Sequence, residues 1–197
     1  LAVELARLAL WVETMDYELP FTFLDHKLKV GNSIVGCRFS WLGHYPVNAW
    51  SREGPDKDHP WTKTYKEFMN ENVKGSVCTW LEEEQGQILM YKEYSALRSK
   101  VHTEGIAAFT DLHALPVWQA EERRRIYHER IEGNPSVKAL KDQLDLWCAL
   151  WFWPANKLEV APLAGNLARP SPEAIEIART IARRERFFHW ELEFPDV

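Results

Sequence analysis

The residues of this chain best placed to do chemistry are the tripeptide Gly31-Asn32-Ser33 and an arginine group at Arg179, Arg183, Arg184 and Arg186. Asn32 offers a side-chain carbonyl that can accept a hydrogen bond from an amine. Gly31 lets the backbone approach a neighbour closely. On the tripeptide alone, a Gly-Asn turn between two strands is the simpler reading. The arginines suit phosphate oxygens, although cations at a helix end also complement the helix macrodipole. The 7 histidines are scattered, and no two stand at metal-ligand spacing with a carboxylate or thiolate partner, so no metal site is expected. Cys37, Cys78 and Cys148 are far apart and odd in number, which excludes a disulfide framework or zinc ribbon and fits a reducing, cytoplasmic setting. There is no phosphate-cradling Gly-rich loop and no Ser-centred nucleophile elbow, so no catalytic residue is assigned.

The elements that must position these residues follow from periodicity. Leu1, Leu5, Leu8, Trp11 or Val12, and Met15 recur at helical spacing and predict an amphipathic helix over 1–15. Leu28–Val30 and Ser33–Phe39 read as short strands around Gly31. Residues 43–60, rich in Gly, Pro, Asn, Asp and Ser, read as a loop. Helical patterns follow: Trp61, Tyr65, Phe68 and Met69, then Val77 to Val101, then Val117 to Ile131. Asn134-Pro135-Ser136 breaks the chain before Val137, Leu140, Leu144, Trp147, Cys148 and Trp151, the cleanest helical face of all. Ser171 and Pro172 supply a cap and a first-turn proline for a last helix, with Ile175, Ala178, Ile181 and Ala182 inward. Over Phe188–Phe194 the aromatic and aliphatic residues alternate with His189, Glu191 and Glu193, the period of a strand.

Composition sets limits. Hydrophobic residues make up 46% of the 197 and charged residues 27%, ordinary for a globular protein. The most apolar run, Leu144–Pro154, is interrupted by Asp145 and falls short of the ~20 residues of a membrane span, so no membrane partner is expected. A net charge of −5 means that any contact with DNA must be local. The runs Glu82–Glu84 and Arg123–Arg125 read as solvated helix faces. The 10 tryptophans invite a base-stacking role, but Trp147 and Trp151 are i, i+4 neighbours on an apolar helix face, and packing is the expected role.

The first 36 residues, with Ala2-Val3-Glu4-Leu5-Ala6, Phe23-Leu24-Asp25-His26 and Val30-Gly31-Asn32-Ser33-Ile34, together with the last ten, Phe188–Val197, resemble adenine-specific DNA methyltransferases of bacterial restriction-modification and phage-defence systems. The resemblance implies a doubly wound α/β sheet that binds S-adenosylmethionine beyond its strand ends. It places Gly31, Asn32 and Ser33 at the end of the third strand, with Asn32 near the amine of the cofactor adenine. It also implies that the ribose-binding acid and the catalytic Asn-Pro-Pro-Tyr loop lie outside the sequence, where Leu1 reads as a domain boundary.

The resulting expectation is a mainly α chain in three parts: residues 1–39 from a methyltransferase core, a helical insertion subdomain over 40–186, and residues 187–197 returning to the core. An insert is required because the roughly 150 residues between Val35 and Phe188 are too many for an unstructured loop. The chain alone is expected to be inactive, within a site-specific adenine methyltransferase that acts on double-stranded DNA. In that setting Arg179, Arg183 and Arg186 face phosphates, or the insert holds a partner subunit. The alternative is a non-catalytic helical protein-interaction module.

Overall fold

Helices form where apolar periodicity coincides with a residue able to start or stop them. The computed structural model describes residues 1–14, 27–50, 62–75, 84–116 and 118–194. In chain order, α1 spans Ala2–Thr14, α2 Thr62–Phe68, α3 Glu84–Ala114, α4 Ala120–Ile126, α5 Pro135–Ala149 and α6 Pro172–Glu185, and α7 is a single turn at Trp190–Glu193. Both α2 and α4 run on into π-helical segments, Met69–Val73 and Tyr127–Glu132. The mainly helical class therefore holds.

The two best-signalled helices are built as their sequences direct. Asn134 caps α5, its side-chain oxygen accepting from the Ser136 backbone N–H at 2.8 Å, with Pro135 in the first turn where no N–H is needed. Ser171 does the same for α6 through the Ala174 N–H at 3.1 Å. At its far end α6 closes on Arg186, which adopts the left-handed conformation at φ 56°. Helix α5 packs most extensively against α6, where Ala174, Ala178, Ile181 and Ala182 are buried. Leu140, Leu144, Leu146, Ala149 and Leu150 are buried on more than one side of α5 and its extension, so this helix runs through the core. A smaller cluster joins Ala108, Phe109 and Leu112 of α3 to Tyr127 and Ile131.

Other expectations need correction. Among the described residues no sheet forms; the one strand-like pairing is an isolated parallel bridge between Asn32 and Phe187. The strand expected over Leu28–Phe39 is irregular chain ending in a 3-10 turn, Phe39–Gly43. The strand expected over Phe188–Phe194 is one extended step followed by α7. Its alternation fails for a physical reason: His189, assigned to the wet face, is 2% exposed, while Trp190, assigned to the core, is 55% exposed. Within the expected loop over 43–60, Tyr45, Ala49 and Trp50 are buried, because Val47–Trp50 forms a 3-10 turn that inserts Trp50 against Phe68. Arg123 is not solvated: it is buried and donates to the Leu115 carbonyl at 2.9 Å.

Several expected positions fall outside the described residues. They are Met15, Phe23–His26, Trp61, Val77, Cys78, Trp80, Leu81, Glu82–Glu83, Val117 and Pro195–Val197, together with the side chains of Ile88 and Tyr91. The main core draws on Cys37 from the first expected segment and on Phe187 and Leu192 from the last, alongside α5 and α6. Helix α1 stands apart from it. Leu1, Leu5, Leu8 and Val12 are all exposed, and Arg7 ties the helix to the body by donating to the Leu28 carbonyl at 3.0 Å. No described helix is long and apolar enough to cross a membrane.

Candidate functional site

The segment carrying Gly31, Asn32 and Ser33 meets the chain leaving α6. The Asn32 N–H donates to the Arg186 carbonyl at 2.6 Å, and the Phe188 N–H donates to the Val35 carbonyl at 2.9 Å. Two glycines make the approach possible. A Cβ on Gly31 would stand 2.3 Å from Phe188 Cδ2, and one on Gly36 would stand 1.9 Å from the Phe188 carbonyl oxygen. The Asn32 carbonyl oxygen Oδ1 accepts from the Ile34 N–H at 3.3 Å, a long contact that leaves acceptor capacity on that oxygen. Ser33 is exposed, and its backbone carbonyl accepts from the Trp190 indole at 3.1 Å.

Beneath this junction lies a buried polar chain that joins three distant parts of the sequence. The Cys37 N–H donates to His189 Nδ1 at 3.0 Å, and His189 Nε2 lies 2.9 Å from Asp145 Oδ1. Because Nδ1 is an acceptor, the ring proton sits on Nε2 and is donated to Asp145. Lys141 then donates to Asp145 Oδ2 at 2.6 Å, one helical turn away. The residue types are those of a Cys-His-Asp catalytic group, but the arrangement is not. The imidazole takes the Cys37 backbone proton, while the Cys37 thiol donates to the Arg38 carbonyl at 3.2 Å. Burial, the contact with Cys148 and the charge of Glu191 push the Cys37 thiol far up from its ordinary range, so it stays a neutral thiol and not a nucleophile. The chain fastens α5 to the segments on either side of the helical body. No described group of three His, Cys, Asp or Glu residues could hold a metal ion.

A wide concavity opens beside the junction. It encloses about 740 Å³ and is walled by Ile34, Val35, Trp41, Trp147 and Trp151, with Cys148 among its lining residues. Its indoles form a fan, with centroids 5.5 Å apart for Trp41–Trp147 and 4.6 Å for Trp147–Trp151. Trp147 is held in place by donating to the His44 carbonyl at 2.8 Å. Tyr45 is held by donating to the Pro162 carbonyl at 2.9 Å while accepting from the Trp50 indole at 2.8 Å. The packing role assigned to Trp147 and Trp151 is therefore only half of the arrangement: both are partly buried against the core and both face the cleft. Trp41, which no sequence pattern singles out, supplies the third ring.

The arginines of α6 sit on an outer face, and each has an acid or a backbone role. Arg179 makes a two-pronged contact with Asp142 of α5, at 2.8 Å for each nitrogen, and these bonds raise its basicity further. Arg183 donates to Glu176 at 3.2 Å, and Arg186 presents its carbonyl to Asn32. The structure thus brings Arg186 to Asn32 but leaves Arg179 and Arg183 among carboxylates. No family model matches the chain, and neither a curated protein nor a solved structure matches it.

Proposed function

We propose that this chain is the connecting region of an S-adenosylmethionine-dependent adenine DNA methyltransferase, of restriction-modification or phage-defence type, whose helical body positions DNA or a partner subunit. The observation that carries the reading is the junction. The two segments on which the resemblance rests, roughly 150 residues apart, lie side by side at Asn32 and Phe187, as the ends of an inserted subdomain must if its host domain is to close. The exposed stripe of α1 also fits a helix that covers one face of a sheet.

The cofactor would supply an electrophilic methyl group; this chain would contribute to its binding. Asn32 fits a role against an adenine amine, because its half-buried side chain is only weakly engaged, its oxygen accepting from the Ile34 N–H at 3.3 Å. In the full enzyme, Asn32→Ala is expected to weaken cofactor binding by about 1–2 kcal/mol, the scale of one lost hydrogen bond. Calorimetry on a folded variant checks this. Unchanged affinity would return Gly31-Asn32-Ser33 to a structural turn and remove the cofactor role from the reading.

One observation favours the second reading, a protein-interaction role for the helical body. Of the three arginines expected to face phosphates, Arg179 is held by two bonds to Asp142 and Arg183 donates to Glu176 at 3.2 Å, which leaves only the singly bonded Arg183 and Arg186 to set against DNA. Replacing both by Gln in the full enzyme is expected to weaken DNA binding at low salt and to flatten the salt dependence, by about one unit of slope per phosphate contact. If affinity and slope both stay unchanged, the helical body meets protein.

A further inference from the structure

We propose that the tryptophan cleft is a binding site for a nucleobase carrying a phosphate. Its volume falls within the range of formed small-ligand sites. Its walls are fixed beforehand by the bonds Trp147 to His44 and Tyr45 to Pro162, so little ordering is needed on binding. Core tryptophans of this protein, Trp50 and Trp153, are 0% exposed, whereas Trp41 is 43% exposed. The Trp147 indole N–H is already committed to a carbonyl, so that side chain has its ring face to offer.

The shape selects a flat ligand. Centroid spacings of 5.5 and 4.6 Å leave no slot between the indoles, so a ring must lie against the fan, with Ile34, Val35, Pro46 and Val47 completing an aliphatic lining. Charge selects the rest. Among the described residues the lining has no Asp or Glu, so nothing there offers a cationic ligand an ion pair beside the indole faces. The Arg38 guanidinium lies 5.9 Å from the centroid of the Trp41 ring and can offer positive charge to a phosphate beside that ring. Glu191, the acid closest in sequence to the junction aromatics, is occupied by the Phe39 N–H at 2.8 Å. The exposed His44 lies in the lining and can meet the edge of a base.

Such a base can come from a free mononucleotide or from a nucleotide unstacked from a strand. The inference stands apart from the cofactor assignment, since S-adenosylmethionine carries no phosphate and Asn32 is not required. The test is equilibrium binding of adenosine monophosphate, a ten-residue deoxyadenosine oligonucleotide and its abasic counterpart to the 197-residue chain. Base-bearing ligands are expected to bind and the abasic strand to bind far less. Trp41→Leu, at an exposed ring whose loss spares the core, is expected to weaken binding roughly 5- to 150-fold, the range for one stacked base. Arg38→Gln is expected to weaken binding of the monophosphate but not that of adenosine. Comparable affinity for monophosphate and oligonucleotide identifies a free-nucleotide site; much tighter binding of the oligonucleotide identifies an unstacked base. Equal binding of the abasic strand, or no effect of Trp41→Leu in a chain with unchanged circular dichroism, would overturn the proposal.

Discussion

Asp145→Ala is expected to destabilise the chain by roughly 3–4 kcal/mol, the cost of removing one member of a buried polar pair. The cost divides unequally between its two partners. Lys141 is 43% exposed and can turn to water, so the loss of that contact contributes little. His189 cannot turn to water. Its side chain is 2% exposed, and its Nδ1 is already bonded to the Cys37 N–H, so the Nε2 proton is left without an acceptor. Asp145→Asn keeps a carbonyl for that proton and is expected to cost less than half as much. Replacing Asp145 and His189 together by leucine offers no escape, because the Cys37 N–H then loses its acceptor in a dry site. Urea unfolding of the variants, with unchanged m-values, checks the order. An Asp145→Ala chain within about 1 kcal/mol of the parent, the scale of a single exposed contact, would mean that the His189–Asp145 contact is not formed.

That network was barely legible in the sequence, and the reason is distance. Cys37, Asp145 and His189 belong to three remote segments, and the single local sign was a carboxylate inside the apolar run Leu144–Pro154. A buried charge in such a run requires a partner, but nothing in the chain says which one. The same limit applies to the cleft: Trp147 and Trp151 formed a visible pair, whereas Trp41 reaches them only through the folding of residues 39–50. By contrast α5 and α6 were plain, because cap, first-turn proline and apolar period all lie within a few residues of each other. The failed strand at Phe188–Phe194 belongs with the network. Its alternation was real in composition, but the bonds to Cys37 and Asp145 take His189 inward against the pattern. Local hydrophobicity could not outweigh two buried hydrogen bonds that it does not encode.

Gly36→Ala is expected to destabilise the chain by about 3–5 kcal/mol, the sum of an overpacking cost and two forfeited backbone hydrogen bonds. Its new Cβ would fall 1.9 Å from the Phe188 carbonyl oxygen and 2.9 Å from the carbonyl carbon. Both obstacles are main chain, so no rotamer change relieves them. Relief requires residues 32–36 to part from 186–189, which breaks the bonds of Asn32 to Arg186 and of Phe188 to Val35. The same movement draws Cys37 away from His189, so it loosens the buried network as well. Gly31→Ala meets the ring and Cβ of Phe188 instead, a side chain that can shift at some cost to its packing with Trp190 and Phe194. It is therefore expected to be the milder of the two. Gly165, exposed in the 3-10 turn Ala164–Asn166 with nothing within 4 Å of an added methyl, provides the control, and Gly165→Ala should leave stability unchanged within about 0.5 kcal/mol. Thermal and urea unfolding of the three variants decide the matter. If Gly36→Ala is as stable as Gly165→Ala, the two ends of the helical body do not meet at Phe188. The proposal of an inserted subdomain would then lose its structural support, whereas the tryptophan cleft would still have its walls along α5.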